Sequence, residues 1–135
     1  MTNRIAASFA RQSMMTTFGA TLDAVEPGLV TISAPILPGC RQQQGFAHAA
    51  LTFGLGDSAA GYAALTTLPD DQEVVTAEIK INLTAPATGE RLIAKGRVIK
   101  PGRRLIVVTS EVFAVTDGRE TLVAVLQGTM VPVKA

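Results

Sequence analysis

The sequence predicts an α+β fold in which one long helix packs against an antiparallel sheet. Three observations lead there. The run from residue 47 to 66 is almost wholly apolar or small and stops before Pro69, as a buried helix would. After Pro69 the segments read as strands, and Val74 to Leu83 alternates apolar and polar residues with the strand period. Tight-turn pairs, Pro101-Gly102 and Asp117-Gly118, join those late segments, so neighbouring strands must run antiparallel.

The elements follow in order. Residues 1–16 hold a short amphipathic helix over 3–15, with Ile5, Phe9 and Met14 toward the core. Thr17 to Ile36 reads as two strands around Pro27-Gly28. Leu37 to Phe46, with Pro38, Gly39 and Gly45, reads as a loop. The central helix occupies 47–66. Val74 to Leu83 then places Val75, Ala77, Ile79, Ile81 and Leu83 on one strand face and Thr76, Glu78, Lys80 and Asn82 on the other. Strands over 91–99, 104–115 and 121–133 complete an α-ββ-α-ββββ order in a single domain, 1–135.

Composition narrows the function. With 135 residues, 47% of them apolar, the chain can build a real core. Formal charge is +1 and no basic stripe exists, so nucleic acid is not an expected partner. Cys40 is the only cysteine; that fits a reducing, cytoplasmic setting and reads as a plain thiol. The N-terminus has no long apolar leader segment. Asp57 and Gly54, Gly56 and Gly61 inside the apolar run argue against a membrane span. No His/Cys cluster has zinc spacing, and no phosphate-binding loop of the G-x-x-x-x-G-K-[ST] type occurs, so no metal or separate cofactor is expected.

The chemistry-bearing groups are the acid at Asp57 and the one histidine, His48, at either end of half a helix. An isolated carboxylate in an apolar run needs compensation, which makes it a candidate catalytic group or a structural acid bonded to backbone. Phe53, Ala64, Ala50, Gly61 and Gly54 fall around Asp57 at helical spacing, and the mid-helix glycines suggest that a ligand or partner comes close. Nine residues separate His48 from Asp57, about 13 Å of rise, so one chain cannot pair them. Two chains about a twofold axis could place the start of one helix, with its unpaired N–H groups, near Asp57 of the other. That arrangement suits acyl transfer to water.

The run Gln42-x-x-Gly45-x-x-His48-Ala49-Ala50, followed by Leu55-Gly56-Asp57 and Gly61, resembles the hotdog-fold acyl-CoA thioesterases, and within them the PaaI-like branch with its N-x-x-G-x-x-H-G-G and L-A-D pattern. The likeness spans about residues 15 to 132. It implies a long central helix wrapped by a curved antiparallel sheet, in a homodimer or homotetramer that hydrolyses acyl-CoA. By the same resemblance Asp57 is the general base or nucleophile, and Ala49 offers its N–H to the thioester oxygen. Gln42 and Thr76 position substrate or water, and His48 supports the helix start. Gln42, His48 and Ala49 would come from one subunit, Asp57 and Thr76 from the other. Ala49-Ala50 replaces Gly-Gly, which a helical φ allows but which narrows the approach. Lys100, Arg103 and Arg104 are either a solvated hairpin tip or contacts to CoA phosphates.

Two rival readings use the same scaffold. A non-catalytic acyl-CoA-binding protein is compatible with Ala49-Ala50. An enoyl-thioester hydratase or dehydratase fits less well, because R-specific hydratases carry a His five residues after the Asp, where this chain has Tyr62. The letters of Gly54-Leu55-Gly56-Asp57-Ser58-Ala59 match a dinucleotide fingerprint, but they lie inside a helix and Asp57 would repel a pyrophosphate.

Overall fold

In the computed structural model, which describes residues 1–135, six strands form one antiparallel sheet that curves around a 17-residue helix. The elements are α1 (Thr2–Arg11), α2 (Ser13–Phe18), β1 (Thr21–Glu26), β2 (Leu29–Pro35), α3 (Ala49–Leu65), β3 (Gln72–Leu83), β4 (Arg91–Pro101), β5 (Ile106–Thr116) and β6 (Arg119–Lys134). The strand order is β1-β2-β4-β5-β6-β3, so β3, although it follows the helix directly, lies at the far edge beside β6. This is the helix-in-sheet arrangement that the hotdog resemblance implies. No helix is long and apolar enough to cross a membrane.

The central helix is buried because the sheet can come very close to it. Leu51, Leu55, Ala59, Ala63 and Leu65 face the core with at most 2% exposure. Gly96 on β4 faces Ala59 and Ala60, and a Cβ there would overlap the Ala59 carbonyl. Two of the three helix glycines have similar causes, while a Cβ on Gly61 would meet nothing closer than Met130 at 3.9 Å. A Cβ on Gly56 would stand 2.8 Å from Leu126, and one on Gly54 2.9 Å from the Phe18 ring. Core packing therefore explains Gly54 and Gly56, where the sequence suggested a ligand or a partner. The Ser110 hydroxyl, buried in β5, donates to the Gly56 carbonyl at 2.6 Å and pins the peptide that precedes Asp57.

Several boundaries differ from the sequence reading, each for a physical reason. The N-terminal helix is two helices. The chain extends at Gln12 (φ −83, ψ 97), which shifts the helical phase, so Met15 is buried and Met14 is exposed. Thr17 and Phe18 complete α2 instead of opening a strand, and Gly19 ends it in the left-handed region (φ 68). The loop over 37–46 holds a 3-10 turn at Pro38–Cys40 and a bridge between Arg41 and Ala47. The long helix starts at Ala49, two residues later than expected, because His48 is its cap. The Asp117-Gly118 turn is as expected, with φ 50 and 77 in a two-residue hairpin.

The largest departure is in β3. Its pairing with β6 slips between Thr76 and Glu78, which leaves Ala77 as a bulge. Strict alternation would put Thr76 opposite Ile79. With one residue bulged, Val74, Thr76, Ile79 and Ile81 share the helix side, and Val75 is 50% exposed. A single inserted residue thus turns Thr76 toward α3.

The closeness of β4 to α3 can be tested directly. Gly96→Ala should lower stability by about 3 kcal/mol, because the added methyl meets backbone that cannot rotate away. Urea unfolding measures it, and a change under about 0.5 kcal/mol would show that the helix is not clamped there.

Candidate active site

Several candidate site residues gather in two separate cavities on one chain. The first is about 190 Å³ and lies along the middle of α3. Asp57, Ser58, Gly61, Tyr62 and Leu65 line it from the helix, Glu73, Val74, Thr76 and Met130 from the sheet, and Ser8 and Gln12 from the N-terminal segment. Asp57 is half-buried. The Thr76 hydroxyl donates to Asp57 Oδ1 at 2.8 Å, with Met130 Sδ 3.2 Å away on its other side. That bond holds one carboxylate oxygen and leaves Oδ2 free to accept a proton from water. Asp57 and Glu73 are the cavity's two carboxylates, and no basic side chain lines it.

The second cavity, about 620 Å³, lies at the start of α3. Gln42, His48, Ala49 and Thr52 line it with the Gln43–Ala47 loop and the 83–87 segment. His48 caps the helix: its Nδ1 accepts from the Ala50 N–H at 2.9 Å, and its carbonyl accepts from the Leu51 N–H at 2.9 Å. An accepting Nδ1 carries no proton, which puts the ring proton on Nε2. The Ala49 N–H is the first of the helix and has no hydrogen-bond partner, and Ala49 lines this cavity. Gln42 Oε1 accepts from the Gln44 and Phe46 N–H groups at 2.6 and 3.2 Å, and so shapes the loop that leads to His48.

The sequence-derived site residues therefore divide. Asp57 and Thr76 meet in one cavity, joined by Gly61. Gln42, His48 and Ala49 meet in the other. Eight residues of helix between Ala49 and Asp57 amount to about 12 Å of rise, too far for one small group to touch both. Phe53, Gly54 and Ala50 line neither cavity: Phe53 packs against the core, Gly54 against Phe18, and Ala50 is exposed at the helix start. Lys100, Arg103 and Arg104 are exposed around the β4–β5 turn. Register places that turn at the Thr76 end of the sheet, since Pro101 pairs with Ile106, Ile106 with Met130, and Met130 with Thr76.

Sequence reasoning overlooked Ser8, Gln12, Ser58 and Glu73. Ser8 on α1 and Gln12 just past its end are spaced four apart, a signal that was available. What they face was not, because it depends on how α1 lies across α3. No group of three or more His, Cys, Asp and Glu side chains gathers in a metal-holding arrangement.

Comparison with known proteins identifies the family and supports the fold. Residues 44–121 match the family model described as Thioesterase superfamily. A thioesterase family protein from Silicibacter pomeroyi, of known crystal structure, is 38% identical, with TM-score 0.97 over 99% of this chain and 98% of that one. The PaaI protein of the E. coli phenylacetic acid degradation operon shares the fold at 18% identity, with TM-score 0.85 over 96% of this chain and 91% of that one. The BH2602 protein of Bacillus halodurans, solved with CoA, is 26% identical, with TM-score 0.80 over 96% of this chain and 82% of that one. A protein of Saccharolobus solfataricus named Putative esterase SSO1253 is 37% identical over 87 residues, which are 64% of this chain and 55% of that protein. The chain thus spans about half the length of that curated relative. With the family model covering more than half of its residues, and the fold agreeing throughout, this chain belongs to the thioesterase superfamily.

Proposed function

We propose that this thioesterase hydrolyses acyl-CoA thioesters at a site shared between two copies of the chain. The observation that carries the reading is the division described above. A carboxylate held by Thr76 occupies one cavity, and a free helix-start N–H occupies another about 12 Å along the same helix. Each is half of an acyl-transfer centre, and antiparallel pairing of two α3 helices brings the halves together.

In this mechanism the thioester oxygen accepts from the Ala49 N–H of one subunit, at the positive end of its helix. Asp57 of the other takes a proton from water through Oδ2, and the hydroxide adds to the carbonyl carbon. Alternatively, Asp57 itself adds and water opens the resulting anhydride. The tetrahedral centre collapses by breaking the C–S bond, and the thiolate of CoA leaves and takes up a proton. Thr76 keeps the carboxylate in place, while Gln42 and His48 hold the loop and helix start around the oxygen. Lys100, Arg103 and Arg104 supply a basic rim for the CoA phosphates, and the CoA bound by the Bacillus relative supports that substrate class.

Two tests follow. Asp57→Asn should lower CoA release by roughly 10²–10⁴-fold with the fold kept, and Thr76→Val by about tenfold. Normal turnover in Asp57→Asn would remove Asp57 from the chemistry; tight acyl-CoA binding with no release by the parent would favour the binding-protein reading.

The second test addresses the shared site. Ala49→Pro replaces the N–H with the proline ring, at the first helical position where proline is well tolerated, and His48 already has the extended backbone that precedes proline (φ −64, ψ 144). Turnover should fall by roughly 10²–10³-fold. Refolding Asp57→Asn together with Ala49→Pro should restore about a quarter of parent activity, because half of random dimers are mixed and each has one intact site. No recovery on mixing would place both groups in one chain's site.

A further inference from the structure

The cavity that holds Asp57 carries a hydrogen-bonding network that the mechanism does not use. Gln12 is its centre. Its Oε1 accepts from the Ser58 hydroxyl at 3.2 Å, and its Nε2 donates to the Tyr62 hydroxyl at 3.0 Å. Ser8 and Tyr62 share one further hydrogen bond at 3.2 Å. The Tyr62 ring is buried against α1, with Phe9 at 6.1 Å between centroids.

Counting protons shows what this network offers. The Gln12 amide has two N–H groups and uses one on Tyr62. Between Ser8 and Tyr62 only one hydroxyl proton is engaged, whichever residue donates, so the other is free. Two donors thus remain beside the cavity, with the Glu73 carboxylate as an acceptor in the same lining. A hydrocarbon chain would displace water from these groups and leave them unpaired. A terminal carboxylate would meet both Asp57 and Glu73 with no cation to offset them. An uncharged hydroxyl or carbonyl would satisfy the donors, and a hydroxyl would also serve Glu73.

Size sets the length. Tyr62 lies five residues beyond Asp57, about 7.5 Å along α3. The cavity on this subunit, about 190 Å³, admits a benzene-sized group, and a polar group about six atoms along the acyl chain reaches Tyr62.

We propose that Gln12, at the break between α1 and α2, is a specificity-determining residue. With Tyr62 and Ser58 behind it, its amide selects short acyl groups that end in an uncharged hydrogen-bonding group. This rests on the thioesterase reading above and names the acyl class for it. The break at Gln12 then has a purpose beyond packing, since it turns this side chain toward the site.

The test compares hexanoyl-, 6-hydroxyhexanoyl- and adipoyl-CoA as substrates, and their non-hydrolysable thioether analogues as ligands by calorimetry. The parent should favour the hydroxyl compound over both others by at least about tenfold in kcat/KM and in affinity. Gln12→Met, of similar length but without the amide, should bring the hydroxyl-to-plain ratio close to one. Should that variant fail to fold, as judged by circular dichroism, Tyr62→Phe carries the test and should cut the ratio severalfold. A parent ratio near one, or a ratio unchanged in a folded Gln12→Met or Tyr62→Phe variant, overturns the inference. A purely structural role for Gln12 would change stability without moving the ratio. Hydroxyl-dependent affinity with no CoA release from any member would sustain the inference about the cavity and sink the hydrolysis reading instead.

Discussion

The structure depends on how closely β4 and its neighbours approach α3. A helix with apolar and small residues on every side has no face to offer to water, so the sheet must cover most of it. That is possible only where side chains are absent at the contact. Gly96 supplies the gap on the sheet, and Gly56 supplies it on the helix under Leu126 and Val112. Bulk at either point would lift the helix, and with it Asp57, away from β3. The Ser110 bond to the Gly56 carbonyl fixes the helix in register as well as distance, so the carboxylate is held by groups that never contact a substrate.

On that base, the site is made by irregularities. The bulge at Ala77 turns Thr76 inward, where its hydroxyl meets Asp57. The extended backbone at Gln12 breaks the N-terminal helix and sends an amide toward Ser58 and Tyr62. The extended backbone at His48 starts α3 two residues late and lets the imidazole cap it. Each of these departs from the periodicity of its element, and each brings a polar group to one of the two cavities. Regular segments build the core, and interrupted ones supply the polar lining.

The exposed part of α3 fits the same picture. Ala50, Phe53, Gly54, Asp57 and Gly61 recur at helical spacing and include one exposed and four half-buried residues. Gly54 lies under Phe18, whereas Ala50 is exposed and Gly61 is uncrowded, so Ala50 and Gly61 leave room for the second backbone that the proposed two-copy site requires. The exposed edge of β3, with Val75 and Leu83 more than half or half uncovered, borders the same side of the fold.

Much of this was legible in the amino-acid order. The apolar run ending before Pro69, the strand-like segments after it and the Asp117-Gly118 turn are local signals, and local backbone physics was enough to read them. The spacing around Gln42, His48 and Asp57 named the family, and the helical rise alone separated His48 from Asp57. What sequence could not supply depends on contacts between distant segments. The phase of β3 hinges on one bulged residue whose only cause is its pairing with β6. The reason for Gly54 and Gly56 lies in Phe18 and Leu126, which sit far away in the chain. Gln12 reaches Tyr62 because α1 crosses α3, an arrangement that no window of residues encodes. Periodicity determined the elements and the place of the one acid in the central helix; only tertiary packing decided what surrounds that carboxylate, because its neighbours are brought there by the sheet and not by the chain.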